Sequence, residues 1–291
     1  MQLRPLGKSG LRVSAIGLGA MPLSTGASRP SEREGVRVVH AALDAGVTLI
    51  DTADVYCRDH RDIGHNERLI ALALRERGAE AHGVVVATKG GLERPDGAWT
   101  DNGRPEHVRA AIDASLRALG VERITLWQLH APDPEVPLED TLGEVSRAVE
   151  AGKIAHVGLS NVSVEELDQA SAIVEVVSVQ NRCSPFERDA WADGVIAACE
   201  ARGIAFLPYS PVGGGRGKVR VADDPALNEV ARARGVSPFR VALAWLLASS
   251  PAMIPIPGAS RVASIQDSAA AADLVLSADE RARLDRAFPT A

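Results

Sequence analysis

Four residues whose types together can transfer a proton follow predicted strand ends in this chain: Asp51, Tyr56, Lys89 and His130. Apolar stretches typical of buried β-strands precede Asp51, Lys89 and His130, and Tyr56 comes shortly after the first of these strands. The intervals between the three strand-end residues are each about 40 residues, close to one long strand-plus-helix unit. The carboxyl ends of successive parallel strands meet at one face. We therefore expect the four side chains to gather there as a proton donor with a tunable pKa.

The elements that must position these residues alternate along the whole chain. A β-hairpin is predicted over 2–13, and two capping-box sequences, Ser31–Glu34 and Ser163–Glu166, each begin a helix. Strands are predicted at 15–19, 47–50, 84–88, 124–129, 154–159, 176–180, 204–209 and 253–256. Helices are predicted at 31–45, 66–77, 105–119, 138–151, from 163, and at 192–202, 225–234, 238–248 and 277–287. This alternation predicts an α/β fold: one (β/α)8 TIM barrel domain over residues 1–291, with an N-terminal β-hairpin and extra C-terminal helices. A doubly wound open sheet is the alternative, although such sheets usually have fewer parallel strands.

Composition narrows the class of protein. The chain of 291 residues is 46% apolar and 24% charged, which are ordinary globular values. A formal net charge of −6 and the lack of a basic run disfavour nucleic acid or an anionic membrane as partners. We expect a cytoplasmic protein, because no signal-peptide core and no run of 18 apolar residues is found. A monomer or weak homo-oligomer is expected. The three cysteines have no CxxC spacing, and no metal site is predicted.

A series of short motifs follows the same order along the chain, mostly at strand ends. The motifs are Gly17-Leu18-Gly19, Asp51-Thr52-Ala53, Tyr56, Asn66-Glu67, Thr88-Lys89, Leu129-His130, Gly152-Lys153-Ile154, Gly158-Leu159-Ser160-Asn161, Gln180-Asn181, Tyr209-Ser210-Pro211 and Ile256-Pro257-Gly258. In this order they resemble the aldo-keto reductase family over nearly the whole chain. The resemblance implies a TIM barrel and NADPH-dependent, reversible reduction of an aldehyde or ketone to the alcohol, with hydride from the nicotinamide. Among branches of the family, the chain is most similar to bacterial reductases of the pyridoxal-reductase-like kind.

The chemistry of carbonyl reduction gives the first four residues distinct roles. Tyr56, with an ordinary pKa of about 10, is protonated at neutral pH and can deliver the proton to the carbonyl oxygen. Lys89 is expected to lower the pKa of Tyr56, and Asp51 to keep Lys89 charged and oriented. A neutral His130 can donate a hydrogen bond that positions the carbonyl. The resembled family assigns the same roles.

Residue types also indicate a nicotinamide cofactor. Ser160, Asn161 and Gln180 can bind its carboxamide, Tyr209 can stack on its ring, and the glycine-rich loop 211–215 can wrap a pyrophosphate. The residues expected to contact the cofactor are Ala20, Met21, Asp51, Ser160, Asn161, Gln180, Tyr209, Ser210, Pro211, Val212, Gly213, Pro257, Gly258, Ser260, Arg261, Gln266 and Ser268.

The adenosine end of that site decides between the two nicotinamide cofactors. Ser260 and Arg261, next to a predicted helix N-terminus, can hold a 2′-phosphate and favour NADP(H) over NAD(H). The chain departs from the family nearby, since the glutamate and asparagine that usually hold adenine are replaced by Gln266-Asp267-Ser268. The loop 213–223 is also shorter than in many relatives, which predicts looser closure over the cofactor.

The substrate pocket is expected to be an apolar mouth formed by Met21, Tyr56, Trp99 and His130. Cys57 and Arg182 are further candidates for its lining. Arg182 would be the cationic group of the pocket, unless it pairs with a nearby acid, Glu187 or Asp189.

Two other functions fit parts of the pattern. One is a regulatory module that binds NADPH and reports redox state with little turnover. The other is a barrel lyase or isomerase that uses Lys89 as a Schiff base. Taken singly, Asp51 is also consistent with a turn cap, Lys89 with an ion pair at the barrel rim, and His130 with a structural histidine.

Overall fold

The computed structural model describes residues 1–26 and 28–289. The chain begins with an antiparallel hairpin of β1 (Leu3–Pro5) and β2 (Arg12–Ser14), as predicted. Leu6 and Val13 of this hairpin pack into one apolar cluster with residues from the strands that follow. Gly7 has a φ of +56°, and a Cβ there would lie 2.1 Å from the carbonyl oxygen of Val177, so only glycine fits this turn against the sheet. The hairpin therefore covers one end of the fold.

Strands and helices then alternate along the chain. The strands that follow the hairpin are β3 (Leu18–Gly19), β4 (Leu49–Asp51), β5 (Val85–Gly90), β6 (Leu92–Glu93), β7 (Thr100–Asp101), β8 (Ile124–Leu129), β9 (Ile154–Ser160), β10 (Val176–Gln180) and β11 (Ala205–Phe206). The helices are α1 (Glu32–Asp44), α2 (His65–Arg77), α3 (Pro105–Leu119), α4 (Leu138–Glu150), α5 (Val164–Ser171), α6 (Asp189–Ala192), α7 (Val195–Arg202), α8 (Gly214–Asp223), α9 (Pro225–Arg234), α10 (Pro238–Ser249), α11 (Val262–Ala269) and α12 (Ala278–Ala287).

The main sheet is parallel throughout and has the order β3-β4-β5-β8-β9-β10-β11. A segment after α10 closes it: Met253 bridges to Phe206 at one edge, while Gly19 at the other edge donates to the carbonyl of Pro257 at 3.0 Å. The barrel prediction is confirmed, and the open-sheet alternative is wrong. The segment predicted as strand eight is not a regular strand, because Pro255 and Pro257 have no N–H to continue a ladder.

Other predicted elements differ in length or type. Only Ala205–Phe206 of the strand predicted at 204–209 is regular, since Pro208 cannot donate to the ladder. The helix predicted at 192–202 is divided into α6 and α7 by Gly194, which has a φ of +82°. The loop predicted at 213–223 forms helix α8 instead. The hairpin of β6 and β7 was not predicted.

The elements that carry the candidate catalytic residues agree closely with those predicted from the sequence. Both predicted capping boxes are present, with the Ser31 and Ser163 side chains accepting from the backbone three residues on. Strand β4 ends at Asp51, β5 contains Lys89 near its end, and His130 follows β8 directly. These strands are neighbours in the parallel sheet, so the three residues lie at the same end of the barrel. In the described part of the chain, no helix is long and apolar enough to cross a membrane.

Candidate active site

The ammonium of Lys89 is the centre of a fully buried cluster. Its Nζ lies 2.7 and 2.8 Å from the two carboxylate oxygens of Asp51 and donates to the Thr52 carbonyl at 2.9 Å. The Tyr56 hydroxyl completes the set at 2.9 Å from the same Nζ. Three acceptors thus occupy the three donors of one ammonium. The cluster joins the ends of β4 and β5 to the loop between β4 and α2.

The carboxylate of Asp51 is held from a second side. Gln180, at the end of β10, donates to Asp51 Oδ1 at 2.8 Å, and Gln128 of β8 approaches the same oxygen at 3.4 Å. Asp51 is 3% exposed, and Lys89 is 0% exposed. A buried ion pair is tolerated only when its remaining hydrogen-bonding capacity is satisfied. The amides across the barrel therefore keep the Lys89–Asp51 pair in one geometry.

Burial controls the protonation of Tyr56 and Lys89. Burial raises the pKa of the Tyr56 phenol well above its usual value, and the negative charge of Asp51 adds to this shift. Burial also lowers the pKa of Lys89, against the opposing effect of Asp51. Burial therefore outweighs the lowering effect expected from Lys89, so the net shift of the Tyr56 pKa is opposite to the one that the sequence suggested. The phenol is protonated at neutral pH and can donate a proton.

His130 is neutral at physiological pH. Burial lowers the pKa of its imidazole well below the usual value, and the nearby charge of Lys89 lowers it further. Its ring meets the Tyr56 ring edge-on, with centroids 5.7 Å apart. The buried Nδ1 has no hydrogen-bond partner within residues 1–26 and 28–289. One ring nitrogen of a neutral imidazole carries a proton that it can donate.

The Asn66–Glu67 motif at the start of α2 forms hydrogen bonds to residues in and next to the Lys89 cluster. Asn66 accepts from the Thr52 hydroxyl at 2.7 Å and donates to the Ala20 carbonyl at 2.9 Å. Glu67 accepts from the Thr88 hydroxyl at 2.6 Å, and burial raises the pKa of its carboxyl. These contacts fasten the loops after β3 and β4 and the strand β5 to one helix. The motif therefore has a structural basis that is independent of any ligand.

A cavity of about 660 Å³ lies at the carboxyl ends of the strands and is lined by Asp51, Tyr56 and His130. All four predicted substrate residues line it, since Met21 and Trp99 do so as well. The predicted cofactor residues that line it are Met21, Asp51, Ser160, Asn161, Gln180, Tyr209, Ser210, Pro211, Val212, Gly258 and Ser260. Lining residues that the sequence did not indicate include Thr25, Ser28, Leu92, Asp101, Ala131 and Lys218.

The remaining predicted cofactor residues lie outside this cavity. Ala20, Gly213 and Pro257 are buried in the backbone network around it, and Gln266 and Ser268 lie on α11. Between the last two, the carboxylate of Asp267 is held in a salt bridge by Arg240, at 2.8 Å. The residues proposed to replace the family's usual adenine contacts are therefore not brought to the main cavity. Their contact with adenine therefore stays a prediction.

Arg261 lies instead beside a second hollow, of about 220 Å³, which shares Ser260 with the main cavity. Arg37 of α1 lines the same hollow, together with Pro30 and Glu34. The Glu34 carboxylate accepts from Ser31 in the capping box, which lowers the pKa of Glu34. Two guanidinium groups from distant parts of the chain thus line one small hollow. Sequence reasoning found Arg261 and missed Arg37, whose only sequence signal is a position on an exposed helix face.

In the main cavity, the polar groups that follow β9 and β11 form one wall and are connected by hydrogen bonds. The Tyr209 hydroxyl donates to Asn161 Oδ1 at 2.9 Å, and Asn161 Nδ2 donates to the His130 carbonyl at 2.9 Å. Asn161 and Ser210 are among the few residues other than glycine with positive φ, at 59° and 50°. Such conformations are costly and concentrate at functional sites. The wall is therefore preorganised by its backbone as well as by its side chains.

The substrate end of the cavity differs from the sequence expectation at two residues. Cys57 is buried away from the cavity, and burial raises the pKa of its thiol to about 11. Arg182 is also absent from the lining, because its guanidinium pairs with Glu187 at 2.6 Å. Trp99 is present and 48% exposed. The expected cationic residue of the pocket is therefore missing from the described lining.

Comparison with known proteins agrees with this architecture. The model of the aldo/keto reductase family matches residues 15–288. An uncharacterized oxidoreductase of Schizosaccharomyces pombe is 35% identical over 277 residues, which cover 94% of this chain and 86% of that protein. Probable aldo-keto reductase 1 of Glycine max is 32% identical over 320 residues, covering 99% and 90%. The structure of a glycerol dehydrogenase from Gluconobacter oxydans has a TM-score of 0.82 at 27% identity, covering 98% of this chain and 94% of that one.

The barrel, the cluster at its carboxyl face and the extent of the match define the class of protein. The chain belongs to the aldo/keto reductase family. It is an NAD(P)H-dependent oxidoreductase that acts on small-molecule carbonyl compounds.

Proposed function

We propose that this enzyme reduces an aldehyde or ketone to the alcohol with NADPH, and that Tyr56 supplies the proton. The observation that carries the proposal is the Lys89 ammonium, which lies 2.9 Å from the Tyr56 hydroxyl at the floor of a 660 Å³ cavity. The reaction is reversible, since a group that donates a proton in one direction accepts it in the other.

The residues of the cavity fit a nicotinamide dinucleotide. Amide and hydroxyl groups of Ser160, Asn161 and Gln180 line one wall, where a carboxamide would find donors and acceptors. Tyr209 supplies an aromatic face, and Lys218 of α8 a cation suited to a phosphate group. When bound, the nicotinamide supplies the hydride.

Tyr56, Lys89 and His130 then transfer the proton and stabilise the negative charge that develops on the carbonyl oxygen. His130 donates a hydrogen bond that holds the carbonyl oxygen near the Tyr56 hydroxyl. As negative charge develops on that oxygen, the Tyr56 O–H transfers its proton to it. The Lys89 ammonium, held by Asp51, stabilises the phenolate that remains. In the absence of substrate the high pKa of Tyr56 keeps the proton in place until the carbonyl oxygen becomes basic enough to take it.

Preference for NADPH over NADH is supported by the second hollow. Arg37 and Arg261 line it beside Ser260, so two cations and a hydroxyl are available to the 2′-phosphate that distinguishes the two cofactors. The N-terminus of α11 begins directly after Arg261 and also favours an anion. NADH has no phosphate at this position, so these groups would not favour its binding.

Two alternatives have less support. A Schiff-base lyase needs a neutral, accessible amine, whereas Lys89 is 0% exposed and its three donors are occupied by Asp51, Thr52 and Tyr56. A regulatory module that only binds the cofactor has no need of a proton donor held by a buried ion pair. The complete proton-transfer set therefore favours turnover.

The decisive test compares the wild type with Tyr56→Phe in NADPH oxidation with a panel of aldehydes that includes pyridoxal. We expect the variant to lose about 10²- to 10⁴-fold in kcat, the usual contribution of a positioned acid, while NADPH binding measured by fluorescence is retained. A variant that reduces carbonyls as fast as the wild type would refute the proposed proton donor. Absence of turnover in the wild type despite tight NADPH binding would favour the regulatory alternative.

Cofactor preference is tested separately with Arg261→Ala and Arg37→Ala. Each is expected to raise the Kd for NADPH about tenfold or more, as for a charge-assisted contact, and to leave the Kd for NADH unchanged. Equal effects on both cofactors would contradict a role in binding the 2′-phosphate.

A further inference from the structure

The substrate end of the cavity carries an acid and lacks the cation that the sequence suggested. Asp101, on β7, lines the cavity beside Trp99. The two residues are two positions apart at the start of the strand and line the same cavity, which agrees with the alternation of side chains along a strand. Thr100, between them, pairs with Glu93, which lines a different hollow on the outer side of the hairpin. The hairpin thus directs one carboxylate inward and another outward.

Asp101 faces the cavity as an available anion. Its side chain is exposed and, among the described residues, forms no salt bridge. Partial burial raises the pKa of the Asp101 carboxyl, and the nearby charge of Asp133 raises it further. Asp133 itself is engaged by backbone N–H groups of Gly103 and Glu135. A cation placed beside Asp101 would therefore relieve repulsion between two carboxylates.

The cations near the cavity are not placed to compensate Asp101. Arg182 is paired with Glu187 outside the cavity. Arg94 lies behind the indole of Trp99, 4.0 Å from its ring centroid and only 6% exposed, so the ring separates the guanidinium from the cavity. Lys218 also lines the cavity, but it lies on α8, which follows β11, the strand four positions away from β5 in the sheet.

We propose that Asp101 selects the substrate by charge: the enzyme prefers carbonyl compounds that carry a cationic group and discriminates against those that carry a carboxylate or phosphate. The inference rests on the proposed reductase function and adds a substrate class to it. Tyr56 and His130 hold the carbonyl, the indole of Trp99 packs on the body of the substrate, and Asp101 meets its far end. Trp99 lies between the two ends, with its ring 6.3 Å from that of Tyr56 and 6.1 Å from that of His130.

The test uses three benzaldehydes that differ only at the para position: a carboxylate, its methyl ester and a trimethylammoniomethyl group. kcat/KM is measured for each with wild type, Asp101→Asn and a matched control, Asp96→Asn. Asp96 is an exposed carboxylate of the same loop that lines the outer hollow, and its φ of +49° is one that asparagine tolerates. Comparing variants substrate by substrate cancels the intrinsic reactivity of each aldehyde.

We expect Asp101→Asn to lower kcat/KM for the cationic aldehyde and to raise it for the anionic one, with the ester unchanged. The ratio of the two charged substrates should change about tenfold, equivalent to about 1.4 kcal/mol, and the change should shrink at high salt. Asp96→Asn should leave the ratio at its wild-type value.

Three results would overturn the inference. One is a wild type that prefers the carboxylate over the ammonium aldehyde, which would implicate the charge of Lys218 instead. Another is a ratio that Asp101→Asn leaves unchanged. The third is an equal change of the ratio in Asp96→Asn, which would mean a general field effect. Turnover of the ester tests the proposed reductase function separately: if the wild type reduces none of the three aldehydes, that function fails and the inference with it.

Discussion

Replacing Lys89 by methionine should damage both stability and catalysis, for separable reasons. Methionine keeps the apolar stem but removes the ammonium, which lies 2.7 Å from the Asp51 carboxylate and 2.9 Å from the Tyr56 hydroxyl. Removing one partner of a buried ion pair costs about 3–5 kcal/mol, because the other charge stays buried without compensation. At about 2–4 °C per kcal/mol for a chain of this size, the melting temperature should fall by about 10 °C.

The assay is thermal unfolding combined with steady-state kinetics. Lys89→Met should lose about 10²- to 10⁴-fold in kcat, because Tyr56 no longer has a cation to stabilise its phenolate. The double variant Lys89→Met with Asp51→Asn should recover part of the lost stability, since no buried charge is left unpaired, while activity stays low. This split distinguishes the electrostatic effect of Lys89 from a general packing defect.

A surface pair provides the matched control. Lys153 contacts Asp113 at 2.7 Å, with side chains 39% and 37% exposed. Lys153→Met should cost only about 0.2–1 kcal/mol and leave kcat unchanged. The reasoning is refuted if Lys89→Met melts like the control, or if adding Asp51→Asn destabilises the variant further.

Three more predictions address pH, packing and thiol reactivity. Because burial and Lys89 hold the pKa of His130 well below its usual value, the unfolded chain gains a proton below about pH 6.5 that the folded chain does not. The free energy of unfolding, measured by urea titration, should therefore fall between pH 7 and pH 5 by about 2 kcal/mol more in wild type than in His130→Asn; equal pH dependence would contradict a neutral buried imidazole. Gly19→Ala should lower the free energy of unfolding in urea by about 1–3 kcal/mol, since its Cβ would meet the Ile256 carbonyl oxygen at 2.7 Å where the segment after α10 closes the barrel. Unchanged stability would show that the backbone relaxes freely at this contact. Cys57, buried and with its thiol pKa raised to about 11, should react with Ellman's reagent at pH 8 only after denaturation; rapid labelling of the native protein would contradict this burial.

The strand ends were predictable because hydrophobic periodicity and helix caps are local signals. Asp51 and His130 come directly at or after apolar runs, and the capping boxes at Ser31 and Ser163 depend only on residues three positions apart. Long helices bounded by proline and glycine, such as α3 from Pro105, were equally clear. These signals survive in the structure because burial of the same apolar faces stabilises each element.

The closure of the barrel was only partly predictable. The segment containing Pro255 and Pro257 has the apolar composition of a strand, yet its pairing with Gly17 and Gly19 uses carbonyl acceptors alone. Helix α8 was missed because glycines at its start read as a loop. Which neighbour completes a ladder depends on contacts between residues distant in sequence, which periodicity does not encode.

The sequence by itself determined the fold class and the group Asp51, Tyr56, Lys89 and His130, because residue type and strand-end position are enough to bring them to one face. Only the tertiary structure decided their protonation: burial raises the pKa of Tyr56, where charge alone suggested the opposite. It also decided which charges line the cavity, turning Arg182 to Glu187 and Asp101 into the cavity. Desolvation and pairing depend on everything packed around a group, and that environment is assembled from parts of the chain that local sequence cannot relate to one another.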